Sequence, residues 1–92
     1  MPSYRTILTI GLMHEGRHPR EVEEAARRIT HLESFDIVVV AAQPRVTARF
    51  TAADDDEAMQ VHQRIVRAVA DVAQTPRARL AKVVRGRSVG LV

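Results

Sequence analysis

Two strand-like runs lie next to each other between residues 35 and 52, FDIVVVAAQPRVTARFTA, and a helical pattern stands on either side of the pair. No other stretch constrains the chain as much. From Phe35 to Ala42 the sequence is almost continuously apolar, with Ile37, Val38, Val39 and Val40 in succession. It is too short for a helix and rich in β-branched residues, so it predicts a strand buried on both faces. Gln43-Pro44-Arg45 then reads as the connection, because proline suits the second position of a β-turn. Strict alternation follows, with Val46, Ala48 and Phe50 on one side and Thr47, Arg49 and Thr51 on the other. That pattern predicts a strand covered on one face only.

The flanking segments complete the order of elements. Tyr4 to Met13 alternates as a strand, with Thr6, Leu8, Ile10 and Leu12 on one side. Gly11 inside it signals either a bulge, the commoner case, or the close approach of another backbone or a ligand. His14 to His18 is a polar connection, and Pro19 fits the first turn of a helix reaching about Leu32. Val22, Ala25, Ile29 and Leu32 form its apolar stripe, while Glu23 with Arg27 and Glu24 with Arg28 are i,i+4 pairs on the opposite, solvated face. Asp54 to Glu57 supplies the cap and acidic first turn of a second helix, whose stripe is Ala58, Val61, Ile65, Ala68, Val69 and Val72. Thr75-Pro76 ends it, and Arg79 to Arg85 reads as a last strand broken by Gly86. No course is assigned to the tail, Ser88 to Val92.

Strand, helix, strand, strand, helix, strand, with right-handed crossovers, gives an α+β sandwich: a four-stranded antiparallel sheet with both helices on one face. The first and third strands are expected at the centre, the second and fourth at the edges. This order resembles that of many ferredoxin-like proteins, among them small-molecule-binding regulatory domains, dimeric barrel enzymes and ribosomal RNA binders. The resemblance implies a fold and leaves function open. Ninety-two residues, 46% of them apolar, fit one such domain spanning 1–92.

Composition narrows the chemistry. The chain has no cysteine, which removes disulfides, thiolate metal ligands and cysteine nucleophiles. No secretory leader or membrane span is recognisable, so a soluble, cytoplasmic protein is expected. The net charge of +3 comes from thirteen arginines and one lysine against eleven acids. Placement matters more than the sum: Arg77, Arg79, Lys82, Arg85 and Arg87 follow one another with no acid between them, whereas Asp54 to Glu57 is a compact acidic run.

In such a fold one sheet face packs on the helices and the other is bare. If Leu8, Ile10, Val46, Ala48 and Phe50 point to the helices, the bare face carries Arg5, Ile7, Thr9, Thr47, Arg49 and Thr51. The second strand adds apolar side chains in either register, and an apolar patch beside arginines marks an interaction surface. The expectation is a homodimer joined sheet face to sheet face or edge to edge. Arg5, Thr9, Thr47 and Arg49 are the candidate contacts for an anionic small molecule, with a protein partner as the other expectation and no cofactor.

The remaining motifs carry less. His14-Glu15-Gly16-Arg17-His18 spells His-Glu-x-x-His, the zinc-protease string, but that chemistry needs both histidines one turn apart on a helix. Gly16 inside the string and Pro19 after it favour a loop, leaving His14 and His18 as weak metal candidates. His31 and His62 lie beside the helical stripes, where a boundary histidine with one bonded nitrogen is the usual case. The serines lack a nucleophile context and the four glycines are dispersed, which disfavours esterase and phosphate-loop chemistry. RNA recognition on this type of sheet needs aromatics on the central strands, and only Tyr4, Phe35 and Phe50 are present. Nucleic-acid binding is therefore the second expectation, through phosphate contacts from Arg77, Arg79, Lys82, Arg85 and Arg87. A small enzyme with His14, Glu15 or His18 at the rim of a pocket between the bare sheet and its dimer mate is the third.

Overall fold

Alternation places Tyr4, Thr6 and Leu8 of β1 (Ser3–Thr9) on one side of the sheet, and all three are buried. A computed structural model describes all of residues 1–92. After β1 come α1 (Glu21–Ile29), β2 (Ser34–Val40), β3 (Gln43–Thr51), α2 (Asp55–Ala70), β4 (Arg77–Val84) and β5 (Arg87–Gly90). The architecture is α+β, with one antiparallel sheet in the order β2-β3-β1-β4-β5.

The sheet has five strands rather than the expected four, and β4 is not an edge. Arg85 and Gly86 both take left-handed backbone angles, φ 51° and 78°, and reverse the chain in a two-residue hairpin turn. The tail left without a course returns along β4 as β5, with Lys82 opposite Val89 and Val83 opposite Ser88. Leu91 then donates its N–H to the Leu80 carbonyl at 2.8 Å. The glycine that looked like the end of a strand is the pivot of a hairpin.

A second correction concerns Pro44, which lies within β3 opposite Val39. The turn is Ala41-Ala42, with φ 51° and 65°. Pro44 is tolerated because its carbonyl serves the other side, accepting from Ile10 N–H at 2.9 Å, and the missing N–H leaves no gap in the β2–β3 ladder. Gly11, for its part, sits just beyond β1 without a bulge. Gln74 approaches it closely: Gly11 N–H donates to the Gln74 carbonyl at 2.7 Å, and a Cβ at this position would meet Gln74 side-chain atoms at 3.1 Å.

Seventeen buried apolar residues form one core between the sheet and the helices. Tyr4 and Phe50 stack at its centre, with ring centroids 5.9 Å apart, and Leu8, Ile65, Val69 and Leu80 close around them. The helix starts obey ordinary end chemistry. Asp54 caps α2 by accepting from Glu57 N–H at 2.8 Å, and Glu21 turns back to accept from His18 N–H at the entrance of α1. Pro19 and Arg20 precede α1, which is shorter at both ends than its apolar period implied. Glu23 pairs with Arg27 at 2.7 Å, while Glu24 and Arg28 stay apart.

The largest departure is β2, expected to be buried on both faces. Phe35 is half-buried, but Ile37, Val38, Val39 and Val40 remain 61%, 57%, 70% and 39% exposed. The reason lies in the helix layer: α1 spans nine residues and packs chiefly on α2, so it stops short of the far half of β2. No helix is long and apolar enough to cross a membrane.

Candidate functional site

The helix-free face is read off the strand register. Thr9 stands between Arg45 of β3 and Arg77 of β4, and in the next row Ile7 stands between Thr47 and Arg79. The central strand β1 thus presents a small and an apolar side chain, with long cations beside them on β3 and β4. Arg45, Arg77 and Arg79, with Ile7, Thr9, Gln43, Val40 and Ala41, line a cleft of about 430 Å³. The cleft sits at the end of the sheet where the β2–β3 turn closes.

None of these three arginines has an acidic partner. The ion pairs of the molecule are Arg17–Glu21, Arg27–Glu23, Arg49–Glu33 and Lys82–Asp55. Three like charges sharing a concave surface raise its potential and repel one another, a cost that an anion between them removes. A guanidinium presents a planar fork of donors matched to carboxylate or phosphate oxygens, and the Thr9 hydroxyl and Gln43 amide add neutral donors. The arrangement can bind and orient an anion. It holds no group placed as a nucleophile or general base.

The four residues expected to contact an anion are divided between two regions. Thr9 is in the cleft, and Thr47 is one row away. Arg5 and Arg49 face each other across β1 and β3 toward the other end of the sheet. There Arg5 Nη1 donates to Ser88 Oγ at 2.6 Å, and Arg49 Nε lies 3.9 Å from Glu33 Oε1, buried and without a hydrogen bond. The five basic residues of the C-terminal segment are split as well. Arg77 and Arg79 join the cleft; Lys82 points to the helix side, 3.1 Å from Asp55 and over the Tyr4 ring; Arg85 and Arg87 belong to the outer hairpin.

His14 and His18 have separate neighbours. His14 Nε2 is 2.8 Å from the Ala70 carbonyl, whereas His18 Nδ1 accepts from Arg20 N–H at 3.3 Å. No three metal-ligating side chains gather anywhere in the chain, and neither histidine nor Glu15 lines the arginine cleft. His62, expected at the boundary of the second helix's stripe, is buried instead. It is 5% exposed, with Nδ1 3.0 Å from Thr6 Oγ1, and it lines a second, shallower groove with Met59, Val66, Arg67, Ala78 and Val92. Burial pushes its pKa below the ordinary 6.5.

A third polar cluster ties β1 to α2. Tyr4 Oη donates to Asp55 Oδ1 at 2.7 Å, and Lys82 Nζ reaches the same oxygen. Burial and the neighbouring Asp55 carboxylate push the Tyr4 phenol up to about 12, so it stays a donor throughout the ordinary range. The hydrogen bonds from Tyr4 and Lys82 hold Asp55 below the usual carboxylate value. All three groups are engaged with one another, which makes the cluster a structural tie.

Arg45 and Gln43 were missed by sequence reading because both were assigned to a turn. With the turn at Ala41-Ala42, alternation alone places them on the face of Thr47. No protein-family model, curated protein or solved structure matches the chain.

Proposed function

We propose that the chain is a non-catalytic binding domain, a ferredoxin-like sandwich extended by a fifth strand, that self-associates through its sheet and holds a small anion on the helix-free face. The observation that carries the binding reading is the convergence of Arg45, Arg77 and Arg79, none with an acidic partner, around Thr9 in one cleft. The ligand class is a compact molecule with two or more phosphate or carboxylate groups, because three arginines without acidic partners share the cleft and a multivalent anion offsets more of their charge than a singly charged one.

Isothermal titration with inorganic phosphate, pyrophosphate and citrate tests the reading. Saturable binding of a multivalent anion is expected, weakened roughly ten- to hundred-fold by Arg45→Ala or Arg77→Ala, the range for losing a charge-assisted hydrogen bond. Arg87→Ala, outside the cleft, leaves it unchanged. Equal binding by all variants, or none by the wild type, removes the proposal. Nucleic-acid binding through phosphate contacts ranks second. Arg77 and Arg79 share a face, but Lys82 is turned away to Asp55, and that face offers no aromatic side chain for a base.

A further inference from the structure

Where the self-association takes place is written in β2. It is a seven-residue edge strand whose last four residues are apolar, exposed and free of proline, charge or bulge. Edge strands of single-chain proteins are normally protected by one of those devices, because an open row of N–H and C=O groups pairs with any strand it meets. The opposite edge, β5, has four residues and begins at Arg87. Only β2 is both long and, from Ile37 to Val40, unprotected.

The geometry also gives the register. Val40 and Gln43 close the two-residue turn and form a hydrogen-bonded pair, so bonded and non-bonded pairs alternate back along β2. Pro44 fits this, since it has no N–H and its carbonyl faces β1. Phe35, Ile37 and Val39 therefore aim their N–H and C=O groups outward. We infer that two copies pair β2 to β2 in antiparallel register about a two-fold axis at Ile37, making one continuous sheet with all helices on the same side. This inference rests on the self-association in the proposed function and assigns its surface.

Alternative registers fail for stated reasons. Centring on Val38 sets Phe35 against Ala41, whose left-handed backbone cannot continue a ladder. Centring on Asp36 sets two carboxylates directly opposite each other, which is unfavourable. At Ile37 the outward groups of Phe35, Ile37 and Val39 all find partners, and Phe35 meets the second copy's Val39 on the helix side. On the bare face, Asp36 of one copy stands beside Val38 of the other, in the row that continues to Arg45 and Thr9. Asp36 and Arg45 are exposed and unpaired in the single chain. Pairing thus lays a carboxylate at the margin of the arginine cleft, in the row of Arg45, while the two Asp36 side chains stand on a diagonal across the axis rather than directly opposite. It is β-strand addition, in which main-chain bonds supply the affinity.

Light scattering on a size-exclusion column across a dilution series reads the assembly, with Ile37→Pro as the decisive variant. The Ile37 N–H is not used within the chain and its side chain is largely exposed, so proline blocks the edge while circular dichroism stays that of the wild type. The expected result is a wild-type dimer and a dissociation constant raised roughly ten- to hundred-fold by Ile37→Pro, since two main-chain bonds are lost. Val39→Lys gives the same answer should proline disturb the fold. Because the chain has no cysteine, Ile37→Cys reports the register. Its two copies stand at a bonded pair, about 5.5 Å between Cα atoms, within disulfide reach. Val40→Cys, also exposed but off the axis, stays unlinked. A dimer that survives Ile37→Pro and Val39→Lys, or that links through Val40→Cys alone, overturns the β2 assignment and leaves self-association standing. A wild-type monomer at every concentration overturns both and leaves the anion titration unaffected.

Discussion

His62 is a residue whose burial makes the fold sensitive to mild acid. Its ring lies in the apolar stripe of α2 and shares a hydrogen bond with Thr6 of β1, so a polar pair joins helix to sheet inside an otherwise apolar core. Burial lowers its native pKa below 6.5, whereas the unfolded chain keeps the ordinary value. As the pH falls below 6.5 the unfolded state takes up the proton first. The contribution of His62 is therefore complete above 6.5 and is lost as the pH falls toward the lower native value. Urea midpoints measured from neutral to mildly acidic pH should decline in the wild type and decline less in His62→Gln. Thr6→Val leaves Nδ1 buried without a partner and should destabilise the fold by about 1–3 kcal/mol in urea denaturation at neutral pH. Equal stability of Thr6→Val and the wild type would mean that the pair contributes nothing.

At the scale of elements, the two hairpins are built on the same two-residue turn with different chemistry. Arg85-Gly86 places glycine where φ is 78°, whereas Ala41-Ala42 forces two Cβ-bearing residues into the left-handed region at 51° and 65°. Left-handed angles cost most L-residues roughly 1–2 kcal/mol each, asparagine and aspartate less, and achiral glycine nothing, so the double substitution Ala41→Asn, Ala42→Gly should stabilise the chain by about 1–2 kcal/mol in thermal or urea unfolding. The same alanines explain what the sequence concealed. Asn-Gly would have announced the turn; Ala-Ala did not, and Pro44 attracted the reversal to itself. Two helices, four strands and the inward sets of β1 and β3 were legible because their periods are clean and their faces unambiguous, except that β1 ends at Thr9 and Leu12, read as inward, is 74% exposed. The fifth strand was not, since its four residues are all exposed and only the left-handed Arg85-Gly86 pair betrays it. The exposure of β2 was hidden for another reason. A continuous run of valines reads as interior, and whether a helix reaches it depends on how far α1 extends.

On the scale of the whole molecule, the arginine cleft and the β2 edge are neighbours. Val40 and Ala41 line the cleft, and Val40 ends the strand that pairs. In the proposed assembly the second copy's Asp36 lies in the row of Arg45, about two strand spacings from it, within the combined reach of the two side chains. That carboxylate and a bound anion compete for one guanidinium. By linkage, whatever the dimer takes from anion affinity, the anion takes from dimer affinity. Asp36→Asn should therefore tighten binding of a multivalent anion to the dimer by roughly two- to five-fold, the scale of a solvent-exposed ion pair. The same substitution on the Ile37→Pro background, at a concentration where that variant is monomeric, should change it less. Titration calorimetry on the four proteins of this cycle measures the difference directly. Equal effects of Asp36→Asn in both backgrounds would place the carboxylate's influence within its own chain and separate the two surfaces.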